Sequence, residues 1–260
     1  MRPLAVTSES PKPRPRADRR AFVAAALATV LVLATCAALI ASGVLWPNRL
    51  FASGHPTRGV DVSSYQGTID WPVLASEDID FAIIKATEGS GARDSRFDEN
   101  WSGAGETDLL VGGYHFMSFD SAGATQAQNV IDTVPDAPGS LPVTVDVEFY
   151  GDYFEHPPTR GRVRGILDPL LAGLEDHYGS PPIIYATPEA YDRYIRDAYP
   201  DNPIWIRSVA VPPRLSDDRG WTFWQYSHRD RLRGYDGEEA FIDMNVFTGS
   251  LDELTALAIG

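Results

Sequence analysis

The chain has one cysteine in 260 residues, Cys36, and it lies inside an apolar run. A disulfide within the chain is therefore excluded, and so is a zinc cluster built from thiolates. A domain of this length has enough core to fold without covalent staples, so the lack of disulfides does not argue against export. No internal repeat is visible, no glycine-rich phosphate loop is present, and no low-complexity tract occurs beyond the first twenty residues. Positive charge is scarce where most of the chain lies. Residues 51–260 carry fifteen basic and thirty-four acidic side chains, a net of −19, whereas residues 1–20 carry six basic and two acidic. Phosphate backbones repel so acidic a domain, which excludes nucleic acid as a partner and leaves solubility as the role of the charge. A monomer is expected.

Charge is absent altogether from Ala21 to Trp46, a stretch of 26 residues. As a helix it would reach about 39 Å, against ~30 Å for a bilayer core. Arg14, Arg16, Arg19 and Arg20 precede it, and the positive-inside rule puts such a cluster in the cytoplasm and everything after Trp46 outside. The expected organisation is a basic cytoplasmic tail over 1–20, a transmembrane anchor over 21–46 with Trp46 at the outer interface, a short tether over 47–57, and a folded domain over 58–260. That places the protein in the cytoplasmic membrane, single-pass, with the folded domain outside. The alternative is a secreted protein released by signal cleavage, for which Ala41-Ser42-Gly43 offers small residues. Arg19-Arg20 partly resembles a twin-arginine signal and Leu33-Ala34-Thr35-Cys36 a lipoprotein box. All of these readings export the domain.

From Arg58 onward, β-rich runs alternate with helical ones. The runs are 59–65, 81–87, 110–117, 143–148, 183–186, 204–209, 222–227 and 241–247, with helices expected over 72–76, 97–107, 122–134, 159–178 and 188–197. Strands separated by helices predict parallel βα units. The fold class expected is α/β: a modified β/α barrel of eight strands and about five helices, preceded by one transmembrane helix. Two flavodoxin-like halves are the alternative topology, without a phosphate loop to go with them.

Chemistry in such a barrel sits at the C-terminal ends of the strands. The run Val143-Thr144-Val145-Asp146-Val147-Glu148 alternates, so the valines share one face and Thr144, Asp146 and Glu148 the other. Two acids aimed into one cleft cannot both ionise freely, which makes one of them a candidate proton donor beside a stabilising carboxylate. A solvated strand end or a metal site would give the same pattern. Asp61, with Ser63 and Tyr65, repeats the arrangement in the first strand, and Asp243 with Asn245 in the last. Four acids thus converge from three strands, at a cost in buried like charge that a merely structural role does not explain. Aromatic residues at strand ends, among them Tyr65, Tyr114, Phe116, Tyr185, Trp205, Trp224 and Tyr226, are divided between core packing and platforms for sugar rings.

These residues fall in an order that resembles glycoside hydrolase family 25, the N-acetylmuramidases often called Chalaropsis-type lysozymes. The matching stretches are Gly59-Val60-Asp61-Val62-Ser63 with Tyr65-Gln66, Ile69-Asp70-Trp71, residues 81–89, Asp94, Phe97 and Asn100. They continue through Gly113-Tyr114-His115-Phe116, Gln126-Ala127, Asp146-Val147-Glu148, Ile184-Tyr185, Ile204-Trp205-Ile206, Trp224-Gln225-Tyr226 and Asp243-Met244-Asn245-Val246-Phe247. The resemblance implies hydrolysis, with retention, of the β-1,4 bond after N-acetylmuramic acid in peptidoglycan. It implies Glu148 as general acid, Asp146 as the carboxylate that assists the developing cation, and Asp61 and Asp243 as further active-site acids. Tyr65, Tyr114, Tyr185, Trp205, Trp224 and Gln225 are the expected substrate-binding residues, glycan strands the partner, and neither a metal nor an organic cofactor is expected. The chain departs from the family pattern after Trp205, where Arg207-Ser208-Val209 replaces an alanine and an aromatic residue common among members. A tethered glycan-binding protein without hydrolysis, and a hydrolase of another N-acetylated polysaccharide, are the competing readings.

Overall fold

A computed structural model describes residues 19–42, 46 and 48–260. The residues before Arg19, with most of the basic tail, lie outside the described set, as do Pro47 and the Gly43 of the possible cleavage site. The described chain forms two units, one ending at Leu45 and one running from Trp46 to Gly260.

The first unit is helix α1, Arg19–Ala41, 23 residues long. Its mean hydropathy of 2.6 over an uncharged window makes it long and apolar enough to cross a membrane, a property that signal sequences share.

The second unit is built on nine strands: β1 Arg58–Val62, β2 Phe81–Glu88, β3 Ala92–Arg93, β4 Leu110–Phe116, β5 Thr144–Val147, β6 Ile183–Ala186, β7 Ile204–Arg207, β8 Phe223–Asp230 and β9 Ile242–Phe247. Eight close on themselves in the order β1-β2-β4-β5-β6-β7-β8-β9, with β3 a short appendage on β2. The helices are α2 Asn48–Ala52, α3 Trp71–Ala75, α4 Phe97–Gly105, α5 Gly123–Ile131, α6 Arg160–Tyr178, α7 Pro188–Ala190 (continued as a π-turn to Ile195) and α8 Leu251–Thr255. The barrel and the five expected helices are present, and α2 and α8 are added to them.

Strand alternation sorts the core into two layers. Phe81, Ile83, Ile183, Tyr185, Trp205, Phe223 and Phe247 fill the barrel. Val60, Val62, Ile84, Val145, Val147, Ile184, Ile206, Trp224 and Val246 face the helices. This is the division expected of a barrel whose strands are covered on both faces. Helix α5 crosses α6 very closely: a Cβ on Gly123 would come to 1.9 Å from the Ile166 carbonyl oxygen. Backbone cannot yield as a flexible side chain can, so Gly123→Ala should force the helices apart at a cost of roughly 1–3 kcal/mol. Thermal melts of the purified variant should show a lower Tm, by about 3–10 °C for a domain of this size.

Two expectations are corrected here. First, β9 runs antiparallel to both neighbours, β8 and β1, while the other closing pairs are parallel. The rule about C-terminal strand ends therefore does not apply to Asp243. It reaches the mouth because it lies near the start of a reversed strand, opposite Asp61 in register. Hydrophobic alternation is the same in either direction, so it carries no sign of the reversal. Second, residues 48–57 are not a tether. Asn48 is buried and donates to the carbonyls of Ser208 and Tyr226, and Arg49 pairs with Asp230. The Thr57 hydroxyl donates to the Gly249 carbonyl. Trp46, expected at a membrane interface, donates its indole N–H to the Tyr226 carbonyl at 3.0 Å and meets His228 edge-on. The signals for a linker were proline and glycine, but these residues also shape a segment folded against a barrel wall.

Candidate active site

The mouth of the barrel opens into a cavity of about 630 Å³ lined by Asp61, Tyr114, Asp146, Glu148, Tyr185, Trp205, Arg207, Gln225 and Asp243, with Phe149, Phe154 and the start of α7 on its rim. All four acids singled out in the sequence are there. Asp146 lies inside β5 and Glu148 just beyond its end. A second, smaller hollow shares Asp61, Tyr114 and Asp243 with the first and adds Tyr65, Gln66, Lys85, His228 and Phe241. The two together form one groove that passes over the acids.

Asp61 is the most firmly held of the four. Its Oδ2 accepts from the amide groups of Gln225 and Asn245, both at 2.8 Å. Those amides are held in turn: the Tyr185 hydroxyl donates to Gln225 Oε1 at 3.0 Å and the Trp205 indole to Asn245 Oδ1 at 2.8 Å. A carboxylate at the floor of the site is thereby oriented by a chain of buried donors, each in place only because the next one fixes it. Burial raises the Asp61 pKa, while the two amides and the Arg207 charge oppose that rise.

Asp146 and Glu148 differ in depth. Asp146 is 7% exposed and its Oδ1 has no hydrogen-bond partner among the described residues, whereas Glu148 is half-buried. Burial holds the Asp146 carboxyl well above the usual range, and the neighbouring Glu148 charge raises it further. Burial also raises Glu148, against the lowering influence of Arg207. Asp243 is held well above its usual range by burial first and by the Asp61 charge second. The cleft thus keeps protons on carboxyl groups at a pH where free acids would have lost them, a condition for general acid catalysis. Among the described residues no three or more His, Cys, Asp or Glu side chains are grouped so as to hold a metal ion.

The loops that carry the site are secured by the motif residues. Ser63 and Gln66 cap each other's backbone in the turn that presents Tyr65, 73% exposed, at the rim of the smaller hollow. Asp94 accepts from the Ser64 and Arg96 amides. His115, fully buried on the outer face of β4, bonds Thr87 and Gln126, and Gln126 in turn holds Ser118 and Ser121 in the loop after that strand. Burial lowers the His115 pKa to about 4, so the ring is neutral and structural.

Of the six expected substrate contacts, Tyr65, Tyr114, Tyr185, Trp205 and Gln225 line the groove. Trp224 does not. It is 1% exposed in the outer layer and donates to the Ser208 carbonyl. Neighbours in a strand point to opposite faces, so Trp224 and Gln225 cannot both face the cavity. Phe154 was not foreseen. It is 71% exposed, in the short 3-10 turn that follows Glu148, and lines the larger cavity. Its signal was weak, one aromatic residue in a loop. Arg207 also faces the cavity, and in the sequence it stood out only as a departure from the family pattern.

Comparison with known proteins follows the same outline. The profile for glycosyl hydrolases family 25 matches residues 60–235. Lysozyme M1 of Streptomyces globisporus is 30% identical over 222 residues, covering 77% of this chain and 71% of that protein. The uncharacterized protein YegX of Escherichia coli K12 is 32% identical over 213 residues, 80% of this chain and 75% of its own length. A family 25 glycosyl hydrolase of Bacillus anthracis, known from its solved structure, is 51% identical, with a TM-score of 0.75 over 78% of this chain and 94% of that one. The chain belongs to glycosyl hydrolase family 25.

Proposed function

We propose that the protein is a peptidoglycan hydrolase of the muramidase type, which cuts the β-1,4 bond between N-acetylmuramic acid and N-acetylglucosamine. The observation that carries this reading is the Asp146–Glu148 pair, two carboxyls of raised pKa at one end of β5 in an open groove. Glu148 is the donor. It is the more accessible of the two, and a sugar seated over it removes its remaining water and raises its proton affinity further. Its proton passes to the glycosidic oxygen as the bond to the anomeric carbon breaks, and the leaving sugar departs as an alcohol. The positive charge left on the ring faces Asp146, while Asp61 and Asp243 hold the floor of the site. Retention takes two displacements: a carboxylate or the sugar's own N-acetyl oxygen first bonds to the anomeric carbon from the face opposite the leaving group, and water then breaks that bond from the leaving-group face and gives its proton to Glu148. No metal or organic cofactor takes part.

Incubation with purified peptidoglycan should release new reducing sugars in a time-dependent manner. Tight binding with no release would favour the competing reading of a glycan-binding protein. Phe154 serves as a stacking platform for a sugar ring, so Phe154→Ala should raise KM by roughly 2–10-fold with little change in kcat, the range expected for loss of one aromatic face. An unchanged KM would remove Phe154 from the binding surface.

The barrel acts outside the cytoplasmic membrane, with α1 retained as an anchor. Residues 48–57 belong to the folded unit, and the anchored enzyme would work on glycan close to the membrane. Fractionation should recover a full-length protein in the membrane pellet that external protease cuts. A shortened protein in the medium would mean a cleaved signal.

A further inference from the structure

The larger cavity has five acidic lining residues, Asp61, Asp146, Glu148, Glu189 and Asp243, and one basic lining residue, Arg207. Arg207 ends β7, half-buried, opposite Gln225 in register. Its charge acts on four of the acids, Asp61, Asp146, Glu148 and Asp243. Among the described residues, however, none of the ion pairs and none of the side-chain hydrogen bonds engages its guanidinium.

That combination is unusual for a purely internal counter-charge. A guanidinium is a planar fork of five N–H donors that fits a carboxylate bidentately, and beside so many acids it would be expected to close onto one of them. Held apart at the wall of a substrate cavity, it keeps those donors for what enters. The cavity also has an electrostatic problem that such a group solves. A glycan carrying its own negative charge is repelled by the acids unless a fixed cation receives it. In muramic acid that charge sits on the lactyl ether, whose carboxyl group is free in strands stripped of stem peptide and amide-linked in strands that carry it. The carboxylates of a stem peptide lie several bonds farther from the ring than the lactyl group, and Arg207 lines the cavity beside the acids. The nearer source is therefore the better match.

We propose that Arg207 is a specificity-determining residue that binds the free lactyl carboxylate of a muramoyl unit, so that strands already stripped of peptide are the preferred substrate. This deepens the muramidase reading and rests on it. It also implies a place in a sequence of reactions: a hydrolase of the amide between lactyl group and peptide must act first to supply the substrate.

The test compares kcat/KM on three preparations of the same strands, using the full-length protein: stripped of peptide, stripped with the carboxyls converted to methylamides, and carrying intact stem peptides. The wild type should prefer stripped strands over methylamide strands by about 10–100-fold, the range of a charge-assisted hydrogen-bond pair. In Arg207→Gln that ratio should fall to about one, and Arg207→Lys should retain an intermediate ratio, since it keeps the charge without the fork. The ratio is insensitive to a general loss of activity, and the wild-type ratio alone tests the idea if the glutamine variant does not fold. A wild-type ratio near one, or an equal ratio in wild type and Arg207→Gln, overturns the proposal. A preference for intact strands that Arg207→Gln abolishes overturns it as well, since the guanidinium would then bind peptide carboxylates. An enzyme that cuts methylamide strands but shows no preference leaves the muramidase reading standing. One that cuts none of the three fails that reading, and the proposal with it.

Discussion

Glu148→Gln should lower the rate of glycan hydrolysis by roughly 10²–10⁴-fold, the usual contribution of a positioned general acid, while leaving glycan binding largely intact. The amide matches the carboxyl in size and keeps its place in the cavity, but it has no acidic proton to give to the leaving oxygen. Burial and charge give the prediction its direction. The Glu148 carboxyl is already raised by its surroundings, so a proton is available there at a pH where a free glutamate would be ionised. Two measurements separate chemistry from binding: turnover on purified peptidoglycan, and retention of the variant on insoluble wall material. Near-wild-type turnover would remove Glu148 from the role of donor. Loss of both properties together would indicate a fault in the fold, which a thermal melt would reveal.

Asp146→Asn should make the protein less active and more stable. In the folded chain the Asp146 pKa is raised by burial and by the Glu148 charge. The native state therefore holds a proton that the unfolded chain has already released, and stability falls as pH rises from the unfolded value toward the folded one. The wild type bears more of that cost the further the pH rises above the unfolded value, and all of it once the pH exceeds the folded one. The asparagine variant does not, because its side chain never ionises. Relief of strain at a functional site typically returns about 0.5–2 kcal/mol, or roughly 1–8 °C in Tm for a domain of this size. The gain should be present near pH 7 and should vanish below about pH 4, where aspartate is protonated in both states. Activity should drop at the same time, because the carboxylate facing the cationic ring is gone. A variant no more stable than wild type at neutral pH would show that Asp146 is not the strained acid that its burial indicates.

Much of the architecture was legible because it is local. Alternation in the run from Val143 to Glu148 tells which residues share a face, and in the structure Val145 and Val147 lie in the outer layer while Asp146 and Glu148 line the cavity. The same logic located Asp61, whereas Tyr185, Trp205 and Gln225 were singled out as aromatic residues at strand ends or through the family resemblance. It failed where the information is not local. The reversal of β9 depends on how the chain returns after β8, and neither face nor periodicity records it. Trp224 was assigned to the groove on its chemistry although its neighbour Gln225 already occupied the inner face; applied strictly, alternation would have excluded it. The packing of Trp46 and Asn48 depends on the carbonyls of Tyr226 and Ser208, some 160–180 residues away in sequence. Segments made by such distant partners look like linkers when read alone. Asn245 lies between these cases. Its inner face was evident from the strand, but its work, orienting Asp61 under the Trp205 indole, appears only once three strands are brought together.

The central claim is the bond that is cut, and the identity of the new chain end tests it most directly. Purified peptidoglycan is digested with the protein, the soluble fragments are reduced with borohydride, and mass spectrometry identifies the sugar alcohol. Muramitol at the new end, formed by the wild type and absent with Glu148→Gln, is the result expected of a muramidase acting through that acid. Glucosaminitol at the new end would mean cleavage of the other glycosidic bond and would contradict the account.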